Sequence, residues 1–302
     1  MARPVLLVVN RRKQRVIEAL DAVRAIINKH ASIALEVEAN GATVTDTKGA
    51  EIIMVLGGDG TLLAQARRFA DTGLPLVGVN LGHLGYLTGF DLDTLSVHAG
   101  TMLTSKTLET QERMLMSAEI RRHGKTVFKS AAMNDVVITA GPPYRMIEIG
   151  LRIADTDVRV IRGDGVVVAT PIGSTAYNVS AGGPIVSPEL EAMIVTAIAA
   201  HSLSFRPIVV EAASGIELAV LRANLVKDRD DHDEVEDGRG GTTLVLDGQV
   251  MHPVLEGDVI SLTRHSQGVR LVKDPDDGYW ETLVAKMHWA ALWGADTVMD
   301  LS

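Results

Sequence analysis

Three short, wholly apolar runs near the start of the chain constrain its fold more than any other feature. They are Val5 to Val9, Ile52 to Leu56 and Leu76 to Val79. A strand that is apolar at every position has both faces covered, as in a sheet with helices above and below. Val16, Leu20, Val23 and Ile27 recur at three- and four-residue steps after the first run, and Leu62, Leu63, Ala66 and Phe69 after the second. That spacing predicts amphipathic helices. Strands alternating with helices imply a parallel sheet with right-handed crossovers, whose ligands sit at the carboxyl ends of the strands.

Near residue 105 the pattern changes. Ile147, Ile149, Leu151 and Ile153 alternate with Glu148, Gly150, Arg152 and Ala154, the period-two pattern of a half-buried antiparallel strand. Ile216, Leu218 and Val220, then Leu244 and Leu246, alternate in the same way. His123-Gly124-Lys125 and Asp155-Thr156-Asp157 read as hairpin turns. The run Arg113 to about Lys273 is therefore expected to be mostly β, a sandwich. After Asp276-Asp277-Gly278 the residues Trp280, Leu283, Val284 and Met287 predict a helix that packs back on the first domain. A chain of 302 residues suits about two domains. The expected division is 1–104 with 274–302 as an α/β domain, and 105–273 as a β-sandwich domain.

Charge and composition remove several classes of function. The formal net charge is −9, from 29 basic and 38 acidic residues, which argues against wrapping nucleic acid. Aromatics are 4%, too few for a single-strand stacking surface. With no cysteine there is no thiolate metal site and no cysteine nucleophile. The apolar run Ala192 to Ala200 is far shorter than the ~20 residues that span a bilayer. The run Val5 to Val9 is too short for a signal peptide, and Arg11, Arg12 and Lys13 follow it rather than precede it. We expect a cytoplasmic protein that binds neither nucleic acid nor membrane. Lys227 to Arg239, rich in acids, reads as a solvated loop whose spacing does not match an EF-hand.

Familiar catalytic motifs are missing. There is no Walker-type phosphate loop, and after Gly58-Asp59-Gly60 come Thr61, Leu62 and then Leu63, so the dinucleotide fingerprint fails at its last glycine. Asn178-Val179-Ser180-Ala181-Gly182 lacks the first glycine of a nucleophile elbow. The histidines form no His-Glu-x-x-His pair.

What remains is glycine-rich. Gly57-Gly58-Asp59-Gly60-Thr61 sits where a buried strand meets a helix. Glycines let a ligand approach the backbone, and a helix N-terminus favours phosphate. A carboxylate at that edge suits Mg²⁺ binding or accepting a proton from an attacking hydroxyl. The plainer alternative is an Asp N-cap with glycines for turn geometry. Asn134-Asp135 opens the strand Val136-Val137-Ile138 and by itself reads as a turn. A third stretch runs from Arg162-Gly163-Asp164-Gly165 through Thr170-Pro171-Ile172-Gly173-Ser174-Thr175-Ala176-Tyr177 to Ser180-Ala181-Gly182-Gly183-Pro184. Its small and hydroxylated residues suit a loop that wraps a polar ligand, with Arg162 a candidate for phosphate and Asp164 for a sugar or amine.

These blocks, with Asp247-Gly248-Gln249, stand in the order found in NAD kinases, and the chain resembles that family from about Ile52 to Trp280. Asn80-Leu81-Gly82-His83-Leu84-Gly85-Tyr86-Leu87-Thr88 is similar to the family's glycine-rich segment after the third strand. The resemblance implies an N-terminal α/β domain, a C-terminal β-sandwich domain, and transfer of the terminal phosphoryl group of ATP (or polyphosphate) to the 2′-hydroxyl of the adenosine ribose of NAD. It implies Asp59 as general base, with Gly57, Gly58, Gly60, Thr61 and Tyr86 beside the nucleotides. It also implies that Asn134 and Asp135 contact the dinucleotide. Arg162, Asp164, Thr175, Ala176, Tyr177, Asn178, Val179 and Ser180 would line its pocket, with Arg145 and Gln249 at neighbouring positions. Mg²⁺ or another divalent cation would accompany ATP, held mainly by phosphate oxygens and water because the sequence carries no dedicated metal cage. A homo-oligomer is implied as well.

Two positions depart from the family pattern. Asp135 stands where Glu is usual, one methylene shorter, and Ile172 stands where a hydroxyl residue is usual. Two other functions stay open on the residues. The Gly57 to Gly60 block is shared with diacylglycerol and sphingosine kinases, and a dinucleotide pocket alone would suit a non-catalytic sensor.

Overall fold

The structure, a computed structural model, describes residues 2–41, 44–82, 85–202, 204–225, 241–275 and 278–287. It divides into two compact units, the described residues of Met1–Gln111 with Arg270–Ser302, and Glu112–Val269. The acidic stretch 227–239 lies outside the described residues, as do Asp276, Asp277, His83 and Leu84.

The first unit begins β1 (Val5–Val9), α1 (Gln14–His30), β2 (Ile33–Glu38), β3 (Ile52–Leu56), α2 (Asp59–Arg68), β4 (Leu76–Val79), α3 (Leu92–Thr104), β5 (Thr110–Arg113). The second unit holds β6 (Met116–Arg122), β7 (Lys125–Ala132), β8 (Asp135–Thr139), β9 (Ile147–Ile153), β10 (Thr156–Gly163), β11 (Gly165–Ala169), the short α4 (Tyr177–Ser180), β12 (Ala192–Ile198), β13 (Ile208–Glu211), β14 (Ile216–Arg222), β15 (Thr243–Leu246), β16 (Val250–Pro253) and β17 (Val259–Arg264). β18 (Val269–Val272) and α5 (Tyr279–Met287) return the chain to the first unit, where Leu283 is buried.

The first sheet has the order β2-β1-β3-β4-β18-β5, with β1, β2, β3 and β4 parallel. Every residue of β1, β3 and β4 is buried, as expected of apolar runs with helices on both faces. Val16, Leu20, Val23 and Ile27 of α1 pack with Val5, Leu7 and Val9 on one face, together with Leu95, Ala99 and Leu103 of α3. On α2, Leu62 lies against Gly78 of β4, where a Cβ would crowd both Leu62 and Thr88. The chain leaves β1 toward β2, then returns to the far side of β1 for β3. That reversal is the topological switch point, where open α/β sheets bind ligands beyond the strands' carboxyl ends.

The second unit is a sandwich of two six-stranded sheets, β10-β9-β14-β17-β6-β7 and β13-β12-β11-β8-β15-β16. One apolar core joins them. It includes Ile147, Ile149 and Leu151 of β9 and Leu218 of β14 from one sheet, and Val136 and Ile138 of β8 and Leu244 of β15 from the other. The β6–β7 hairpin turns at His123-Gly124, both left-handed, as a two-residue turn requires. The β9–β10 turn is at Ala154-Asp155, one residue earlier than the expected Asp155-Thr156-Asp157, because Thr156 already pairs with Ile153.

Candidate functional site

In the first unit, β1, β3 and β4 all end beside one cavity of ≈ 690 Å³. Its lining includes Lys13, Arg15, Gly58, Asp59, Asn80 and Tyr86. The glycine block turns the chain from β3 into α2 as the sequence predicts. Asp59, however, is not the cap of α2. Gly58 is, and no side chain bonds there. Asp59 stands in the first turn, and its carboxylate reaches across to the segment after β4. Oδ2 accepts from the Tyr86 N–H at 2.6 Å, and Oδ1 accepts from the Leu87 N–H at 3.2 Å, the Thr88 N–H at 3.2 Å and the Thr88 hydroxyl at 3.0 Å. Three backbone amides and a hydroxyl thus hold the carboxylate in one orientation. Gly85 makes this approach steric as well as polar, since a Cβ there would overlap the Asp59 carboxylate and the Thr88 hydroxyl. Burial, and then the charge of Asp59, push the Tyr86 hydroxyl above its usual range.

The other glycines have separate reasons. A Cβ at Gly57 would run into Thr61, whose hydroxyl accepts from Asn10 Nδ2 at 2.9 Å and so ties the turn to the end of β1. A Cβ at Gly58 would stand 3.1 Å from Lys13 Nζ, so glycine here brings the ammonium against bare backbone. The basic run after β1 is divided in its use. Arg11 pairs with Glu36 and Glu38 of β2, whereas Lys13 and Arg15 face the cavity with no acidic partner among the described residues.

In the second unit the expected residues fall at two opposite ends of the sandwich. β8 and β11 run antiparallel with Asp135 opposite Ala169 and Thr139 opposite Gly165. Asn134, Asp135 and the segment Thr175 to Ser180 share one end. The Thr170 N–H donates to the Asn134 carbonyl at 2.8 Å, and a Cβ at Gly173 would overlap that carbonyl. Gln249 is exposed in the β15–β16 turn, next to Asp247, whose N–H donates to the Asp135 carbonyl at 2.9 Å. Arg145, Arg162 and Asp164 lie at the opposite end, roughly 17 Å away along the five residues of β11. There the Ala140 N–H bonds the Asp164 carbonyl, and Asn224 Nδ2 donates to the carbonyls of both Ala140 and Arg145. Arg162 is exposed and pairs with Glu148 at 3.4 Å.

Within the 170–184 segment the side chains divide. Tyr177 and Ser180 are exposed, and Thr175, Ala176 and Val179 are half-buried. Asn178 is fully buried: its Nδ2 donates to the Ser174 and Pro184 carbonyls, and its Oδ1 accepts from the Thr196 hydroxyl. All its side-chain bonds are internal, so it shapes the loop, and any contact with a ligand would be through its backbone. Ile172 is buried too. Asp135 is 4% exposed, and burial first, then the charge of Asp247, push its carboxyl up to about 7 against a bond from the Tyr177 N–H.

Residues 5–106 match the ATP-NAD kinase N-terminal domain family and residues 133–273 the ATP-NAD kinase C-terminal domain family. The NAD kinase of Desulforamulus reducens is 36% identical over 266 residues, covering 88% of this chain and 87% of that one. The NAD kinase of Pseudomonas fluorescens SBW25 is 38% identical over 244 residues, 81% of this chain and 77% of that one. The chain belongs to the NAD kinase family. It is an enzyme of the phosphotransferase kind, whose reaction is phosphorylation of NAD with ATP. Two solved structures share the fold. Yeast NADH kinase complexed with NADH has a TM-score of 0.77 at 21% identity, over 100% of this chain and 90% of that one. An Archaeoglobus fulgidus NAD kinase in complex with ATP has a TM-score of 0.72 at 24% identity, over 94% of this chain and 98% of that one.

Three features of this NAD kinase escape a reading of its sequence. The clamp of Tyr86, Leu87 and Thr88 on Asp59 spans 27 to 29 residues. The basic pair Lys13 and Arg15 looks like any helix start. Asp247 is grouped with Gln249 but accepts bonds from three backbone amides at the start of β8. A usable signal existed only for the first, in the glycines around Tyr86.

Proposed function

We propose that the enzyme transfers the terminal phosphoryl group of ATP to the 2′-hydroxyl of the adenosine ribose of NAD, with Asp59 as general base. The observation that carries this reading is the fixed carboxylate at the switch-point cavity beside Lys13 and Arg15, which have no acidic partner among the described residues. The hydroxyl oxygen attacks the terminal phosphorus, the bond from that phosphorus to the ADP oxygen breaks, and the hydroxyl proton passes to Asp59. Oδ2 accepts one bond among the described residues and retains an acceptor site for that proton. A positioned base contributes ~10²–10⁴-fold, and most of the remainder in phosphoryl transfer is positioning and charge neutralisation.

Lys13 and Arg15, with the uncapped start of α2, suit the donor phosphates. Asn134, Asp135, the loop 175–180 and Gln249, all on the second unit, are the residues we assign to the dinucleotide. Mg²⁺ would be held mainly by the donor phosphates and water: among the described residues no three His, Asp or Glu cluster, and Asp59, the carboxylate in the cavity lining, is kept for the proton. When bound, the ion neutralises charge on the donor phosphates. No helix among the described residues is long and apolar enough to cross a membrane. We take the enzyme to be a cytoplasmic homo-oligomer, which fractionation and sedimentation velocity test. The lipid-kinase alternative shares only the Gly57 to Gly60 block, and both family matches run well beyond it.

The test is incubation with NAD, ATP and Mg²⁺, followed by an NADP-specific dehydrogenase. NADP must appear above a no-enzyme control, and its absence overturns the proposal. Replacing ATP by polyphosphate, or NAD by NADH, in the same assay defines donor and acceptor range.

A further inference from the structure

Asp247 has no place in the mechanism above, yet it is one of the most heavily used carboxylates in the second unit. It occupies the β15–β16 turn in the left-handed region, φ +49°, and is 9% exposed. Its Oδ1 accepts from the Asn134 N–H at 2.7 Å and the Asp135 N–H at 3.1 Å, and its Oδ2 accepts from the Met133 N–H at 3.0 Å. Three successive amides converge on one carboxylate, and the Asp247 N–H returns a bond to the Asp135 carbonyl at 2.9 Å. Burying a charge is costly unless bonds compensate it. A neutral turn residue would connect β15 to β16 equally well, so the charge serves the 133–135 segment rather than the turn. That segment in turn supports the loop. The Thr170 hydroxyl donates to the Met133 carbonyl at 2.5 Å, the Asn134 carbonyl takes the Thr170 N–H, and the Asp135 carboxyl meets the Tyr177 N–H.

We infer that Asp247 is a positioning residue, whose carboxylate clamps the three amides at the start of β8 and so sets where Asn134, Asp135 and the 170–180 loop meet the dinucleotide. This rests on the reading that Asn134 and Asp135 hold NAD. The clamp has a second consequence. Among the described residues, the groups acting on the Asp135 carboxyl are Asp247 from the β15–β16 turn and the Tyr177 N–H from α4. Removing the Asp247 charge removes a repulsion, so Asp135 then loses its proton at lower pH.

The experiment uses the full-length enzyme and steady-state kinetics against pH. Asn tolerates left-handed backbone, so Asp247→Asn preserves the turn while removing the charge and setting an amide NH₂ against a backbone N–H. We expect the KM for NAD to rise at least ~10-fold, with kcat and the KM for ATP within ~3-fold of wild type. We also expect an inflection of kcat/KM for NAD near neutral pH in the wild type, displaced to lower pH in this variant. Asp135→Asn should lack that inflection altogether. A wild-type KM for NAD with an unmoved inflection in Asp247→Asn overturns the inference. Should that variant not fold, Asp247→Glu keeps the charge and shifts the carboxylate by one methylene. Its KM for NAD should rise while the inflection stays near neutral pH, and an unchanged KM is again fatal. Asn134→Ala separates the two levels. A wild-type KM for NAD there sinks the reading of Asn134 and Asp135 itself, whereas a raised KM there with none in Asp247→Asn sinks only the clamp.

Discussion

Asp59→Asn tests the chemistry and the geometry at once, because the structure assigns both a cost. Asparagine keeps one oxygen and replaces the other by an NH₂. The favourable orientation leaves oxygen at Oδ1, where it retains the Leu87 N–H, the Thr88 N–H and the Thr88 hydroxyl. The NH₂ then faces the Tyr86 N–H across the 2.6 Å now spanned by Oδ2. A donor against a donor loses that bond and leaves the amide unsatisfied, about 1–3 kcal/mol. Tm should fall by a few degrees, at ~2–4 °C per kcal/mol for a unit of this size. The chemical cost is separate. Loss of the base should lower kcat by ~10²–10⁴, about 2.7–5.5 kcal/mol of transition-state stabilisation. NAD affinity should stay largely intact, because the proposed dinucleotide residues belong to the second unit. The assay is NADP formation under saturating ATP, with thermal unfolding by circular dichroism and NAD binding by calorimetry on the same preparation. A kcat within tenfold of wild type removes Asp59 from the base role. An unchanged Tm instead refutes the four-bond clamp described for it.

Other outcomes follow from the same geometry. Lys13→Ala should raise the KM for ATP ~10-fold or more by removing one charge-assisted contact, and leave the KM for NAD alone; a wild-type ATP KM removes Lys13 from the donor half. Asp135, raised in the folded chain to about 7 from an ordinary 3.8, binds its proton more tightly folded than unfolded. Its contribution to stability is therefore complete below about pH 4 and lost as pH rises through 7, on the order of a few kcal/mol. Urea unfolding between pH 4 and 8 should show this slope in wild type and a flatter line in Asp135→Asn, and equal slopes refute it. Asn178→Ala breaks three buried bonds and leaves the Ser174 and Pro184 carbonyls unmatched. Stability should fall by about 2–4 kcal/mol in urea titration, and a loss under ~1 kcal/mol would place Asn178 outside the loop's framework.

Much of the first unit is legible because its signals are local. β1, β3 and β4 are unbroken apolar runs, and α1 buries the four residues its periodicity selects. The alternating pattern of β9 and β14 is equally plain. Among the elements that reading passes over are β2 and α3. β2 is an edge strand with no fully buried residue. α3 has a weaker stripe but opens with Asp91 and Thr94 bonded reciprocally, a cap that the spacing Asp-x-x-Thr already contains.

The sequence by itself determined that a carboxylate would stand where a buried strand meets a helix, because glycine, apolar runs and helical spacing act on neighbouring residues. It also carried the ordered blocks that mark the family. Only tertiary structure decided what that carboxylate touches. The Asp59 clamp, the use of Asp247 by residues 112 to 114 positions away, and the inward turn of Asn178 all join segments that the chain keeps apart. Hydrogen bonds at about 3 Å depend on register and on where a loop lands, and neither is set by the residues on its two sides.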